Sequence, residues 1–241
     1  MDALRYILLF ALISCATEKV RQCTYGIKNS CSAEAVCIQV DQGKASCLKP
    51  VHSSFSLSLP FKIQETVECD QGTLSPPGNS HTWQNTAYAL DLKSARALEV
   101  VAVSSGEVIS FDECKTSNDQ CGLGFGNQVK VLSSDGMLVF YAHLKSVAVR
   151  TGQQVRPGDI LGVEGDTGWT GKNNPHLHFS VHSDWREKGK AYWQNVGFLP
   201  PSVPFKMNAC FNGCGSDCAT RDVREIQCRR VSSAPARLCR P

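Results

Sequence analysis

Short hydrophobic runs broken by polar turn residues fill the middle of the chain. Segments 88–92, 98–103, 107–111, 128–132, 138–142 and 177–181 are rich in valine, isoleucine, leucine and aromatics, and glycine, aspartate or serine bounds them, so each reads as a short strand. No segment keeps an amphipathic helical period over three turns. Turn chemistry separates the runs at Ser104-Ser105-Gly106, Ser133-Ser134-Asp135-Gly136 and Gly165-Asp166. The pattern predicts a mainly β fold: an antiparallel sheet, curled or sandwiched, with a site on one open face. Residues 51–59, with four serines among alternating apolar positions, read as linker or opening strand. Gly106, Gly126, Gly158, Gly165 and Gly168 precede no helical segment, so they read as backbone requirements and not as phosphate-binding elements.

The ends of the chain differ from this core. Met1 to Arg5 lead into an apolar run from Tyr6 to Ile13, too short for a membrane span and suited to an export signal. Leu12-Ile13-Ser14-Cys15 resembles a bacterial lipobox, which would make Cys15 a lipidated first residue and a membrane tether; ordinary cleavage after Ala16 is the alternative. Thirteen cysteines are too many for a reduced compartment, and removing Cys15 leaves twelve, an even number compatible with complete pairing. Four lie at 23, 31, 37 and 47, three at 69, 114 and 121, and five at 210, 214, 218, 228 and 239. If Cys114 and Cys121 close a local loop, parity leaves Cys69 and one tail cysteine without partners. A disulfide from Cys69 to the tail is therefore expected. Zinc held by tail cysteines is the weaker alternative, because disulfides compete in an oxidising compartment.

The expected organisation is an export signal at 1–15, a cysteine-rich segment at 16–52 similar to part of an EGF-like module, a core at 53–205 and a cysteine-rich tail at 206–241. The flanking pieces are too short to bury a core and need covalent staples. A net charge of +3 is too small to argue for nucleic acid.

The chemistry concentrates at Pro175-His176-Leu177-His178-Phe179. Alternation along a strand sends His176 and His178 to one face and Leu177 and Phe179 to the other. Alone, the pair serves equally well as two satisfied surface histidines. The chain has only six histidines, however, and His81, Asp91 and His143 stand upstream. A catalytic zinc takes three protein ligands and leaves a fourth position to water, so a His/Asp/His set plus two further imidazoles suits zinc-assisted hydrolysis.

Ser80-His81 through Tyr88-Ala89-Leu90-Asp91, Gly106-Glu107-Val108, Gly126-Asn127, Tyr141-Ala142-His143-Leu144, Gly158-Asp159, Gly165-Asp166-Thr167-Gly168-Trp169 and the segment from Pro175 to Phe179 together resemble the lysostaphin/LytM-type zinc endopeptidases. The resemblance spans roughly residues 69 to 205, and the order and number of its motifs make it far more specific than any one of them. One departure stands out. The usual first motif places its histidine four residues before the aspartate, but position 87 here is alanine and His81 stands ten residues before Asp91. A family variant carries this histidine further upstream, and the intervening loop would have to fold His81 back onto the strand bearing Asp91.

The resemblance implies one zinc ion held by His81, Asp91 and His178, with His143 and His176 catalytic beside the open position. One would take a proton from water, and the other would stabilise the oxyanion or protonate the leaving amine. It implies as substrate the peptide part of peptidoglycan, cleaved at a cross-bridge or cross-link amide outside the cytoplasm. A non-catalytic envelope protein that activates another wall hydrolase, or a secreted signalling or adhesion protein on the same fold, are the competing classes; retention of His143 and His176 favours catalysis. Trp83 and Trp169 read as groove lining or as buried packing, and His52 and His182 as ordinary. Asn127 is expected to satisfy backbone groups at a strand start.

Overall fold

The computed structural model describes residues 22–24, 31–32, 35–41, 44–49, 55–75, 79–215, 217–229, 232 and 235–240. The segment expected as an export signal, Cys15 and His52 lie outside the described residues. A small sheet is built from β1 (Gln22–Cys23), β2 (Val36–Asp41) and β3 (Lys44–Leu48), with β3 in the centre. The larger sheet contains β4 (Ser56–Ser58), β5 (Thr66–Gln71), β6 (Leu90–Ser94), β7 (Glu99–Val101), β8 (Gly106–Phe111), β9 (Asn127–Leu132), β10 (Leu138–Val147), β11 (Gln154–Val155), β12 (Ile160–Glu164), β13 (Leu177–His182), β14 (Lys206–Cys210), β15 (Cys218–Asp222) and β16 (Arg237–Cys239). Its main path runs β11-β8-β9-β10-β13-β6-β5-β16-β14-β15, with β12 joining β10 to β7 and β4 beside β14. Every pairing is antiparallel except β4 with β14. Among the described residues the one α-helix is the single turn α1 (Lys190–Trp193).

The fold is mainly β, as the hydrophobic runs predict, and the period of two explains where its core sits. Leu90 and Leu92, Val129 and Val131, Val139 and Tyr141, and Leu177, Phe179 and Val181 point into one large apolar cluster. Alternate residues point the other way. From β10, Leu138, Phe140 and Ala142 join a second cluster with Ile109, Leu132 and Trp193. On β13 the second face carries His178, Ser180 and His182.

All twelve cysteines other than Cys15 are paired. Cys114 bonds Cys121, and Cys69 bonds Cys228 across 159 residues, as parity requires. The remaining pairs are Cys23–Cys37, Cys31–Cys47, Cys210–Cys218 and Cys214–Cys239, which leaves no tail thiolate for zinc. The tail, expected as a stapled appendage, contributes three strands to the larger sheet: β16 pairs with β5, and β14 pairs with β15. The core ladder thus takes up β16 through β5 and β14 through β4, while β15 pairs with β14.

Candidate metal and catalytic centre

Asp91 and His178 stand directly opposite each other on β6 and β13, so the sheet register itself brings the two side chains together. His178 Nδ1 lies 3.0 Å from Asp91 Oδ1. His81 belongs to no strand, but its segment folds back so that its Nε2 lies 3.0 Å from the same oxygen and 3.3 Å from His178 Nδ1. Three donor atoms from 81, 91 and 178 thus converge on one point, all buried. Ligands about 2.0–2.1 Å from a tetrahedral zinc would stand roughly 3.3 Å apart, close to the separations seen here.

The hydrogen bonds behind these atoms suit a cation. His81 Nδ1 donates to the Gly72 carbonyl at 2.9 Å, which leaves Nε2 with its lone pair toward the centre. His178 Nε2 is buried without a hydrogen-bond partner. Its ring is packed against Phe125 and Phe140, with centroids 5.5 and 6.1 Å away, so packing orients it. Burial alone would raise the Asp91 carboxyl, but the imidazoles of His81 and His176 beside it, with His178 at hydrogen-bond distance, hold it well below the usual carboxylate range. Burial also pushes His178 below the ordinary histidine value, which favours the neutral form a metal requires.

His143 and His176 complete the cluster. Their ring centroids are 4.8 Å apart, and that of His143 is 5.9 Å from that of His178. His143 sits where β10 bulges between its pairing with β9 at Tyr141 and at Leu144, and it adopts a left-handed φ of 62°. Its amide donates to Phe125 O at 2.9 Å. Its Nδ1 donates to Thr167 O at 2.8 Å, leaving Nε2 free to accept a proton. Burial, with His176 and His178 nearby, lowers its pKa well below the ordinary value. His176 Nδ1 donates to Asn174 O at 2.8 Å, and its Nε2 lies 3.7 Å from Asp91 Oδ2.

Asp91, His143, His176 and His178 open onto a groove of about 660 Å³, also lined by Trp83, Leu123, Phe125 and Trp169. His81 is fully buried and approaches from behind. Trp169 is 64% exposed and Trp83 36%, so both tryptophans wall the groove. His182 is buried, donating from Nδ1 to Pro200 O and accepting from the Ser180 hydroxyl. Asn127 exchanges two hydrogen bonds with the Cys114 backbone, the expected strand-start role. The supporting positions that the strand pattern leaves unmarked are Gly72, Phe125 and Asn174. All three act through backbone carbonyls, for which side-chain chemistry gives no signal, and Phe125 also packs its ring against His178.

Residues 85–191 match the family model described as Peptidase family M23. The chain is 46% identical over 67 residues to cell division protein DipM of Caulobacter vibrioides, covering 28% of this chain and 11% of that protein. It is 32% identical over 93 residues to glycyl-glycine endopeptidase ALE-1 of Staphylococcus capitis, covering 38% and 23%. The catalytic domain of the antimicrobial peptidase lysostaphin from Staphylococcus simulans overlays 52% of this chain and 81% of its own, at 29% identity and a TM-score of 0.37. The chain thus spans less than a quarter of the length of either curated relative. Residues 85–191, which carry Asp91, His143, His176 and His178, constitute a domain of Peptidase family M23.

Proposed function

We propose that the chain is an extracytoplasmic, zinc-dependent endopeptidase that hydrolyses peptide bonds in peptidoglycan stems or cross-bridges. The observation that carries this reading is the convergence of His81 Nε2, Asp91 Oδ1 and His178 Nδ1, with two further imidazoles beside them at the floor of a groove. When bound there, zinc supplies a Lewis acid that polarises a peptide carbonyl and makes water acidic enough to deprotonate near neutral pH. The protein's own groups do the rest. His143 and His176 each have Nδ1 engaged by a backbone carbonyl, which fixes the rings and leaves Nε2 for proton transfer. One accepts a proton from the attacking water, and the other faces the oxyanion or the leaving amine. Trp83, Leu123 and Trp169 hold an extended peptide across them and exclude water.

Complete pairing of the twelve cysteines supports a location outside the cytoplasm. A lipid on Cys15 would hold the enzyme at a bacterial envelope membrane, with free secretion as the alternative. Peptidoglycan as substrate is supported by the similarity to ALE-1, a glycyl-glycine endopeptidase.

The test is digestion of mixed bacterial peptidoglycans with the oxidised mature protein, with and without a zinc chelator and metal add-back, reading released termini by mass spectrometry. New peptide termini that vanish with chelator and return with zinc are expected. One equivalent of zinc bound with no cleavage of wall or test peptides would move the function to a binding or activator role.

A further inference from the structure

Two donors at the centre are fixed by the sheet, because Asp91 and His178 face each other across β6 and β13. His81 lies between β5 and β6 outside any strand. Whatever holds its segment therefore holds the third donor. Part of the support is local: Gly72 O accepts from His81 Nδ1, and the Thr86 hydroxyl donates to Ser80 O. The Ser75 amide also donates to His81 O at 3.2 Å, and a further part comes from the small N-terminal sheet. The Gln39 amide donates to Thr82 O at 3.0 Å, and the Gln84 amide donates to Gln39 O at 3.0 Å. The Thr82 hydroxyl donates to Gln39 Oε1 at 3.2 Å. The residue next to His81 is thus bound through backbone and side chain by a single residue of β2. Beside this contact, Ile38 packs with Ala87 and Tyr88, edged by Val36, Leu48 and Leu74.

We infer that the N-terminal disulfide sheet is a positioning element for the metal centre, with Gln39 as its principal positioning residue: it keeps His81 in donor geometry and thereby sets the affinity for a divalent cation. The inference rests on the metal reading of His81, Asp91 and His178. Its physical basis is preorganisation. A donor on an unsupported segment must be ordered when the ion binds, and that loss of freedom subtracts from affinity. Gln39 stands two residues from Cys37, whose disulfide to Cys23 ties β2 to β1, while Cys31–Cys47 fastens the segment before β2 to β3. Those bonds stiffen the support beside the β2–β3 ladder.

The experiment is a double-mutant cycle on the oxidised full chain, with zinc affinity measured by chelator competition. Ile38→Asp/Gln39→Ala, which removes the apolar contact and the side-chain acceptor, and Thr82→Val, which removes the hydroxyl donor, are each made alone and with His81→Ala. Circular dichroism and unfolding midpoints report folding, and if the double substitution unfolds the chain, Thr82→Val decides. With His81 present, we expect about tenfold or greater weakening for the first and about two- to fivefold for the second. In the His81→Ala background, where Asp91 and His178 leave only a weak residual affinity that is read at raised zinc concentration, each should change that affinity less than twofold, because the coupling passes through that ligand. Equal weakening in both backgrounds, or none with His81 present, would overturn the inference. Failure of the unsubstituted protein to bind zinc would overturn the metal reading beneath it.

Discussion

At the scale of single residues, His176, just before β13, and the two histidines on β13 share one face but not one role. His178 and His176 reach the groove, whereas His182, on the same strand, is enclosed. Burial holds His182 neutral and pushes its pKa down to about 3, against about 6.5 when unfolded. The unfolded chain then binds the extra proton between those values, so this group's contribution to stability is full above about pH 6.5 and is lost as pH falls toward about 3. We predict that His182→Gln makes the decline of urea-measured stability between pH 6.5 and 4 shallower, by up to about 1.4 kcal/mol per pH unit; identical slopes would refute this. That His81, Asp91, His143, His176 and His178 gather in one place was legible because few histidines exist and their motifs stand in a recognisable order. What a spacing of ten residues could not convey is how His81 returns to Asp91, since that depends on Gly72 and Gln39, remote partners that no local pattern reveals. Lys130 was equally hidden: it occupies a core strand, yet its buried ammonium finds the carbonyls of Trp193 and Asn195.

At the scale of elements, β10, the bulge at His143 and the turn through Thr167 act as a unit. Gly126 makes their contact possible: its φ is 63°, and a Cβ there would lie 2.2 Å from the Thr167 carbonyl that holds His143. Gly126→Ala must therefore shift that backbone. We expect a stability loss of about 1–3 kcal/mol from overpacking, together with at least about tenfold lower turnover. Unchanged peptide cleavage would show that the Thr167 contact does not position His143. The six predicted strands all have counterparts, because their apolar alternation matches a core face. Strands such as β5, with the sequence TVECDQ, and β14 to β16 carry weaker patterns and exist through non-local pairing with each other and with disulfides at their ends. β12 is interrupted by Gly162, which packs against the Ser146 carbonyl, and that glycine obscured its strand character.

At the scale of the whole molecule, the tail and the core are joined twice, by the β5–β16 ladder and by Cys69–Cys228. Cysteine parity exposed the second link; the first was invisible because strand partners so far apart leave no trace in local sequence. Replacing both cysteines by serine should lower stability by about 2–5 kcal/mol, read from urea unfolding, since the bond closes 159 residues of chain. No change would mean that the ladder alone carries the junction. The same global arrangement places one donor on each of three separate segments, so the centre exists only in the folded chain. The most direct test of that centre is zinc content by native mass spectrometry across five alanine substitutions, with turnover measured on the same samples. The account predicts one zinc in the unsubstituted protein, loss of both zinc and turnover in His81→Ala, Asp91→Ala and His178→Ala, and retained zinc with turnover reduced about 10²–10⁴-fold in His143→Ala and His176→Ala. Equal zinc loss in all five, or zinc retained in His178→Ala, would contradict it.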